Sequence, residues 1–379
     1  MASLRPILMG VCMLAAFFPL QGCGSQGGQA VCDLNCGGTP GSEFLYGAPA
    51  SGLLDSLVSA SINLATGGLS SVSISTATPI LNSSGVIAVG SRFLYVSVGS
   101  EIVGYSIDPA TGEVIPLSGS PFSLAAGRAP QGLAAAPNGN LLYVADYGGG
   151  VDAFQVDGST GALSTISGSP FGSGEIFQVT VDSSGRFLYA ADFTGGEILA
   201  FAIGPSGALT PVPGSPFALP GQAASKPYGV LAVGAFLYAA LSSSDQIAAF
   251  SVNPTTGALT TVPGSPFAAG NDPATLASSG GFLYAVNEGA GGISGYSVNS
   301  SNGALTLVPG SPFFNGGAAT SIATEPSGKY LYLSGSAGIV GCNINSSTGA
   351  LSTGAASLSN DGGLWLTVMQ IPPTTALQN

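Results

Sequence analysis

The chain has 379 residues, enough for a large core, yet only 6% are charged, and 18 acids against 6 cations leave a net charge of −12. A chain so poor in Lys and Arg cannot neutralise a phosphate backbone, which excludes nucleic-acid binding, and it repels phosphorylated or otherwise anionic small molecules at long range. With no histidine, a Ser/His/Asp triad is impossible and a structural metal site is not expected.

The first 22 residues read as a secretion signal: Arg5 is the lone charge, and the apolar run over residues 7–20 is too short to span a bilayer comfortably. The run ends in Leu20-Gln21-Gly22-Cys23, which resembles a bacterial lipobox. Residues 1–22 are then a lipoprotein signal peptide, and Cys23 carries the lipid that holds the protein to a membrane. An ordinary signal peptide with an incidental cysteine is the alternative. Residues 23–42 form a Gly/Gln/Ser-rich linker that would keep a domain clear of the bilayer. Within it, Cys32 and Cys36 make the simplest disulfide in an oxidising compartment, while Cys12 lies in the signal and Cys342 near the end of the chain. The expected location is the cell envelope, anchored and facing the periplasm or the cell surface.

From residue 43 to residue 370 the chain repeats itself, and residues 371–379 are a tail. A Leu-Tyr pair recurs with its tyrosine at Tyr46, Tyr95, Tyr143, Tyr189, Tyr238, Tyr284 and Tyr332, in steps of 46 to 49 residues. A turn glycine before an apolar residue recurs at Gly67, Gly112, Gly161, Gly207, Gly257, Gly303 and Gly349. The tetrapeptide Gly-Ser-Pro-Phe begins at Gly119, Gly168, Gly214, Gly264 and Gly310. The 59 Gly and 26 Pro approach the composition of disordered chains, but the 45% apolar content and the strict period make them punctuation between strands. Short apolar runs with Gly/Pro/Asn turns at this period mark propeller blades, and seven copies mean an all-β propeller of seven four-stranded blades.

The third repeat shows the parse. Residues 131–136 are an inner strand rich in small residues, and 141–146 and 151–156 are the second and third strands. A fourth strand over 162–166 runs out into Gly168-Ser169-Pro170-Phe171. Inner strands are expected to be small because the blades converge on the axis. Second strands such as Phe187-Leu188-Tyr189 are apolar on both faces, because each blade packs between two neighbours. Asn63, Asp108, Asp157, Asn253, Asn299 and Asn345 each stand four residues before a turn glycine. Spread one to a blade, they read as Asx turns rather than calcium ligands. The chain enters on a second strand at Phe44-Leu45-Tyr46 and ends on an inner strand near Leu364-Trp365-Leu366. The last strand should therefore complete the first blade and close the ring.

Two sets of loops share one face and line the axial funnel. The inter-blade loops carry Arg128, Glu175, Lys226, Tyr228 and Asp272. The loops after the second strands carry Asp55, Glu101, Asp146, Asp192, Glu197, Asp245, Asn287 and Glu288. Such carboxylates could bind a cation, a sugar or a basic partner, or simply form a solvated rim.

The Phe-Leu-Tyr strands, the hairpin Pro326-Ser327-Gly328-Lys329 and the run Tyr284-Ala285-Val286-Asn287-Glu288 resemble the lactonase-type seven-bladed propellers. That class includes 6-phosphogluconolactonase-like and YVTN-repeat proteins. The resemblance covers residues 43–370 and implies lactone hydrolysis. The family's inner strands often open with Gly-Pro-Arg-His, whereas the corresponding places here read Ala129-Pro130-Gln131-Gly132, Lys226-Pro227-Tyr228-Gly229 and Asp272-Pro273-Ala274-Thr275.

Two readings follow. In the first, the chain is a monomeric, lipid-anchored propeller that binds a small sugar or lactone or an envelope protein, with Glu175, Asp192, Tyr228, Asp272 and Asn287 as ligand contacts. In the second, it hydrolyses neutral lactones. A carboxylate (Glu288, Asp146 or Asp192) would be the base, and Arg128 or Lys226 would meet the oxyanion. Neither reading needs a cofactor, and calcium bound among the funnel carboxylates is a third possibility.

Overall fold

The computed structural model describes residues 42–50, 56–71, 80, 82–221, 225–289, 291–314, 319–336, 338–358 and 363–372. The signal segment, Cys23, the Cys32–Cys36 pair, Asp55 and the tail from residue 373 lie outside the described residues. The chain forms seven antiparallel sheets, each with four consecutive strands except where the ring closes. There the C-terminal strand Leu364–Ile371 pairs with the first strand, Ser42–Pro49, in register from Ser42↔Ile371 to Pro49↔Leu364. The ring thus begins and ends one residue beyond the 43–370 boundaries expected from the repeats. In the third blade the strands are Pro130–Ala135, Leu141–Asp146, Val151–Val156 and Leu163–Thr165.

The Gly-Ser-Pro-Phe segment departs from the sequence expectation. It does not extend the fourth strand but folds back onto the third. Its phenylalanines pair as Ile102↔Phe122, Val151↔Phe171, Ile198↔Phe217, Ile247↔Phe267 and Ile293↔Phe313. Fourth strands such as Leu209–Pro211 have only three residues, so much of the third strand's outer edge would stay unpaired. The serine covers it: backbone N–H groups of Gly104, Ala153, Ala200, Ala249 and Gly295 donate to Ser120, Ser169, Ser215, Ser265 and Ser311 Oγ at 2.8–3.0 Å. All five Ser-Pro peptide bonds are cis.

Blades are joined by the two markers that made the repeat visible. Each second-strand tyrosine is fully buried and donates its hydroxyl to the carbonyl of the turn glycine in the next blade. Tyr46 reaches Gly112, Tyr189 reaches Gly257 and Tyr284 reaches Gly349, at 2.9–3.0 Å. Tyr332 crosses the closing seam to Gly67 at 3.1 Å. These glycines have to be glycines. Gly257 has φ +74°, and a Cβ there would come within 2.4 Å of the Phe187 ring. The Asx turns form as expected, with Asn253 Oδ1 accepting the N–H groups of Thr255 and Thr256 at 2.9 and 3.1 Å. One face of the ring therefore consists of hairpins and turns locked to their neighbours, leaving the opposite face for binding.

Candidate functional site

On that opposite face the inner strands of all seven blades surround an axial cavity of about 330 Å3. Glycines such as Gly229 bring the strands close; a Cβ there would lie 2.1 Å from the Ala274 carbonyl. The inner strands are nevertheless not uniformly small. Phe177, Tyr228 and Trp365 line the cavity, each as the second residue of its strand, Ile176–Val181, Pro227–Val233 and Leu364–Ile371. Bulk is tolerated at this end because the inter-blade loops open the channel into a mouth.

The residues singled out from the sequence separate into two groups. In the first, side chains are consumed by the fold. Arg128 Nη1 pairs with Asp146 Oδ2 at 2.8 Å and donates to the Gly149 carbonyl at 2.7 Å. Asp146 is fully buried, and its Oδ1 accepts the N–H groups of Ala129 and Gly148 at 2.8 and 2.7 Å. The expected base and oxyanion partner are thus each other's counterion, because a buried carboxylate must be paired and hydrogen-bonded. Arg128 Nε also lies 3.8 Å from Asp152 Oδ2. Burial pushes the Asp152 carboxyl up to about 6 against the pull of Arg128.

Asp192 and Asn287 occupy the position equivalent to Asp146, the last of the second strand, and both are buried. Asp192 Oδ1 accepts the Gly195 N–H at 2.9 Å. Asn287 Nδ2 donates to Ser294 Oγ at 3.1 Å. Both pin loops rather than face a ligand. Glu175 is tied to its own blade, accepting from the Thr194 hydroxyl and holding the Tyr147 hydroxyl above its ordinary pKa through a hydrogen bond.

The second group lies around the mouth, with Glu288, Asp272 and Tyr228 where blades five and six meet and the Lys226 ammonium turned toward blade four. The Glu288 backbone N–H donates to the Asp272 carbonyl at 2.9 Å, which sets the two residues side by side. Asp272 sits at φ +56° with its own N–H donated to Asp245 Oδ1 at 2.8 Å. Burial, then the Asp245 charge, raise its carboxyl above the ordinary range. The Glu288 carboxyl is pushed up to about 7, first by burial and then by Asp272. Tyr228 lies within the field of both, and its hydroxyl is raised by burial and then by Glu288 and Asp272. Lys226 is exposed, has no ion pair among the described residues and places Nζ 4.7 Å from the centre of the Phe193 ring. Thr275 Oγ1, on the wall of the same cavity, is buried without a hydrogen-bond partner among the described residues.

Reading the sequence missed the rings beside this group. Phe177 lies 4.6 Å from Phe193, 4.8 Å from Tyr228 and 5.3 Å from Tyr147, centre to centre. A signal existed: Ala145-Asp146-Tyr147 and Ala191-Asp192-Phe193 place an aromatic at the same point of two adjacent repeats. Among the described residues no three acidic or cysteine side chains converge to hold a metal ion, and no helix is long and apolar enough to cross a membrane.

The family model for lactonases described as 7-bladed beta-propellers matches residues 88–215. Among solved structures, a candidate 6-phosphogluconolactonase from Bacteroides fragilis superposes with a TM-score of 0.72 at 21% identity, covering 87% of this chain and 98% of its own. A second, from Bacteroides uniformis, gives 0.73 at 22% identity, covering 87% and 100%. The periplasmic gluconolactonase of Pseudomonas aeruginosa gives 0.71 at 19% identity, covering 88% and 99%. At these identities the likeness is one of fold. No curated protein matches the chain. The family model and the shared ring together support a lactonase-type seven-bladed propeller.

Proposed function

We propose that this propeller hydrolyses lactones that carry no phosphate, at the mouth of its channel between blades five and six. The observation that carries the proposal is Glu288. Its carboxyl accepts no hydrogen bond among the described residues, borders a cavity-lining tyrosine and is raised to about 7, where a carboxylate is an effective base near neutral pH. The partial match to a lactonase family supports the same reaction over a purely binding role.

In this mechanism Glu288 takes a proton from water as the water oxygen bonds to the lactone carbonyl carbon. The negative charge that develops on the carbonyl oxygen is met by the Lys226 ammonium and the Tyr228 hydroxyl. Collapse of the tetrahedral intermediate breaks the ring C–O bond. The proton held by Glu288 passes to the departing alkoxide, leaving a hydroxy acid. Arg128 takes no part, since Asp146 and Asp152 neutralise it.

Proton release from δ-valerolactone, δ-gluconolactone and 6-phosphogluconolactone by the purified protein tests this reading. Turnover of the neutral lactones should rise with pH about a midpoint near 7, as Glu288 ionises. Glu288→Gln should lower kcat/KM on the order of 100-fold or more, and Lys226→Met by about tenfold. Absence of turnover above the uncatalysed rate on all three lactones would sink the proposal and leave a ligand-binding or scaffold propeller.

A further inference from the structure

The ring is a sevenfold repeat, so each blade reports what the fold needs at a given position. Register with the second strand makes Phe177 and Tyr228 equivalent to Ser84, Gln131, Ala274 and Thr320 in four other blades and to Trp365 in the blade that closes the ring. Small or polar residues therefore suffice there, and packing between blades does not demand an aromatic. Yet three blades place rings at this point, Trp365 in the closing blade and Phe177 and Tyr228 in two adjacent ones, and only beside the adjacent pair do Phe193 and Tyr147 extend the rings outward from neighbouring loops. The result is one continuous aromatic wall on a single sector of the mouth, with centres 4.6–5.3 Å apart along Phe193, Phe177 and Tyr147. Phe177 and Phe193 are only half-buried, and Tyr147 is 41% exposed. Among the described residues the wall keeps an open side, so apolar surface remains to be gained by a ligand.

The charges around the wall restrict that ligand. Glu175 bonds Tyr147, Asp272 and Glu288 act on Tyr228 with Asp245 held to Asp272, and Lys226 is the cation there without an ion pair among the described residues, its ammonium lying on the face of Phe193. A phosphorylated ligand would bring its charge toward four carboxylates with one cation to meet it. A flat, uncharged ring would meet aromatic faces while its ester carbonyl lay toward Tyr228 and Lys226.

We propose that the Phe177–Phe193 wall selects lactones whose ring is fused to, or carries, a flat aromatic group, and discriminates against phosphorylated sugar lactones. This assignment rests on the lactonase reading for the reaction but concerns binding, so the two can fail separately. Phe177 is the specificity-determining residue: it touches Phe193, Tyr228 and Tyr147 at once and lines the cavity.

The experiment is isothermal titration calorimetry of the intact protein with two lactams, which cannot be turned over as lactones are. One is dihydroquinolinone, the lactam of dihydrocoumarin; the other is δ-valerolactam, which lacks the aryl ring. Wild-type protein should bind dihydroquinolinone at least about tenfold more tightly than δ-valerolactam. Phe177→Ala should remove that preference by weakening dihydroquinolinone at least about fivefold more than δ-valerolactam, while Phe177→Leu, which keeps most of the volume, should retain part of it. Thermal unfolding of each variant checks that the ring is intact, and Phe177→Leu serves as the test if Phe177→Ala does not fold. Equal binding of the two lactams by wild type, or equal weakening of both by the Phe177 variants, would overturn the proposal. Selective lactam binding without hydrolysis of dihydrocoumarin would keep the aromatic site and remove the enzymatic reading. Hydrolysis of δ-valerolactone without selectivity would do the reverse.

Discussion

The two faces of the ring follow opposite rules. On the turn face, the same joint is made seven times: a buried tyrosine hydroxyl on the carbonyl of a glycine that an aromatic or leucine side chain of the preceding blade packs against. On the mouth face the blades differ in what equivalent residues do. The last residue of the second strand is a paired Asp146, a loop-pinning Asp192, an apolar Leu241 or an amide, Asn287. Repetition marks what holds the ring together, and departure from repetition marks where chemistry can reside. The glycines and tyrosines need no further role, whereas Glu288, Lys226 and the Phe177 wall break the pattern.

The turn face should be the costly one to disturb. Gly257→Val asks a β-branched residue to adopt φ +74° and drives its Cβ into the Phe187 ring. Chemical denaturation should show a loss of about 3–5 kcal/mol. Tyr189→Phe keeps the ring but leaves the buried Gly257 carbonyl without its donor. The same measurement should read about 1–2 kcal/mol, and a value near zero would mean that the joints are decorative.

The mouth should behave in the opposite sense. Burial and Asp272 hold the Glu288 carboxyl at about 7, above the ordinary 4.5. Ionising it therefore costs the folded state, and wild-type stability should decline as pH rises from about 4.5 to about 7. Glu288→Gln has no proton to lose. It should match wild type near pH 4.5 and exceed it at pH 8, by about 1 kcal/mol once solvent screening of a partly exposed group is counted. A variant that loses activity while gaining stability would be the clearest sign that this carboxylate serves chemistry rather than the fold. Loss of stability at pH 8 would instead make Glu288 another pinning residue like Asp192.

The period of the Leu-Tyr pairs, the Asx positions before each turn glycine and the unpaired strands at the two ends led directly to seven blades and to closure by the C-terminal strand. Those features depend on alternation along a strand and on hydrogen bonds within a turn, which neighbours in sequence decide. The fold-back of Gly-Ser-Pro-Phe was less legible, because its serine answers to a backbone N–H some 16 residues away, on the third strand. Thirteen positions on the mouth face were visible only as candidates. Arg128, Asp146, Asp192, Lys226 and Glu288 look alike in a linear chain, as polar residues in loops of one face.

What separates them is where each side chain points once the strands are in register. Arg128 meets Asp146 because the inter-blade loop and the end of the second strand are brought together, and their charges then cancel. Glu288 has no such partner and sits half-buried beside Asp272, so its proton is held more tightly. The sequence alone determined the ring, because strand period and turn chemistry are local. Only the tertiary structure decided which funnel residues are free to act, because burial and pairing are properties of contacts between blades.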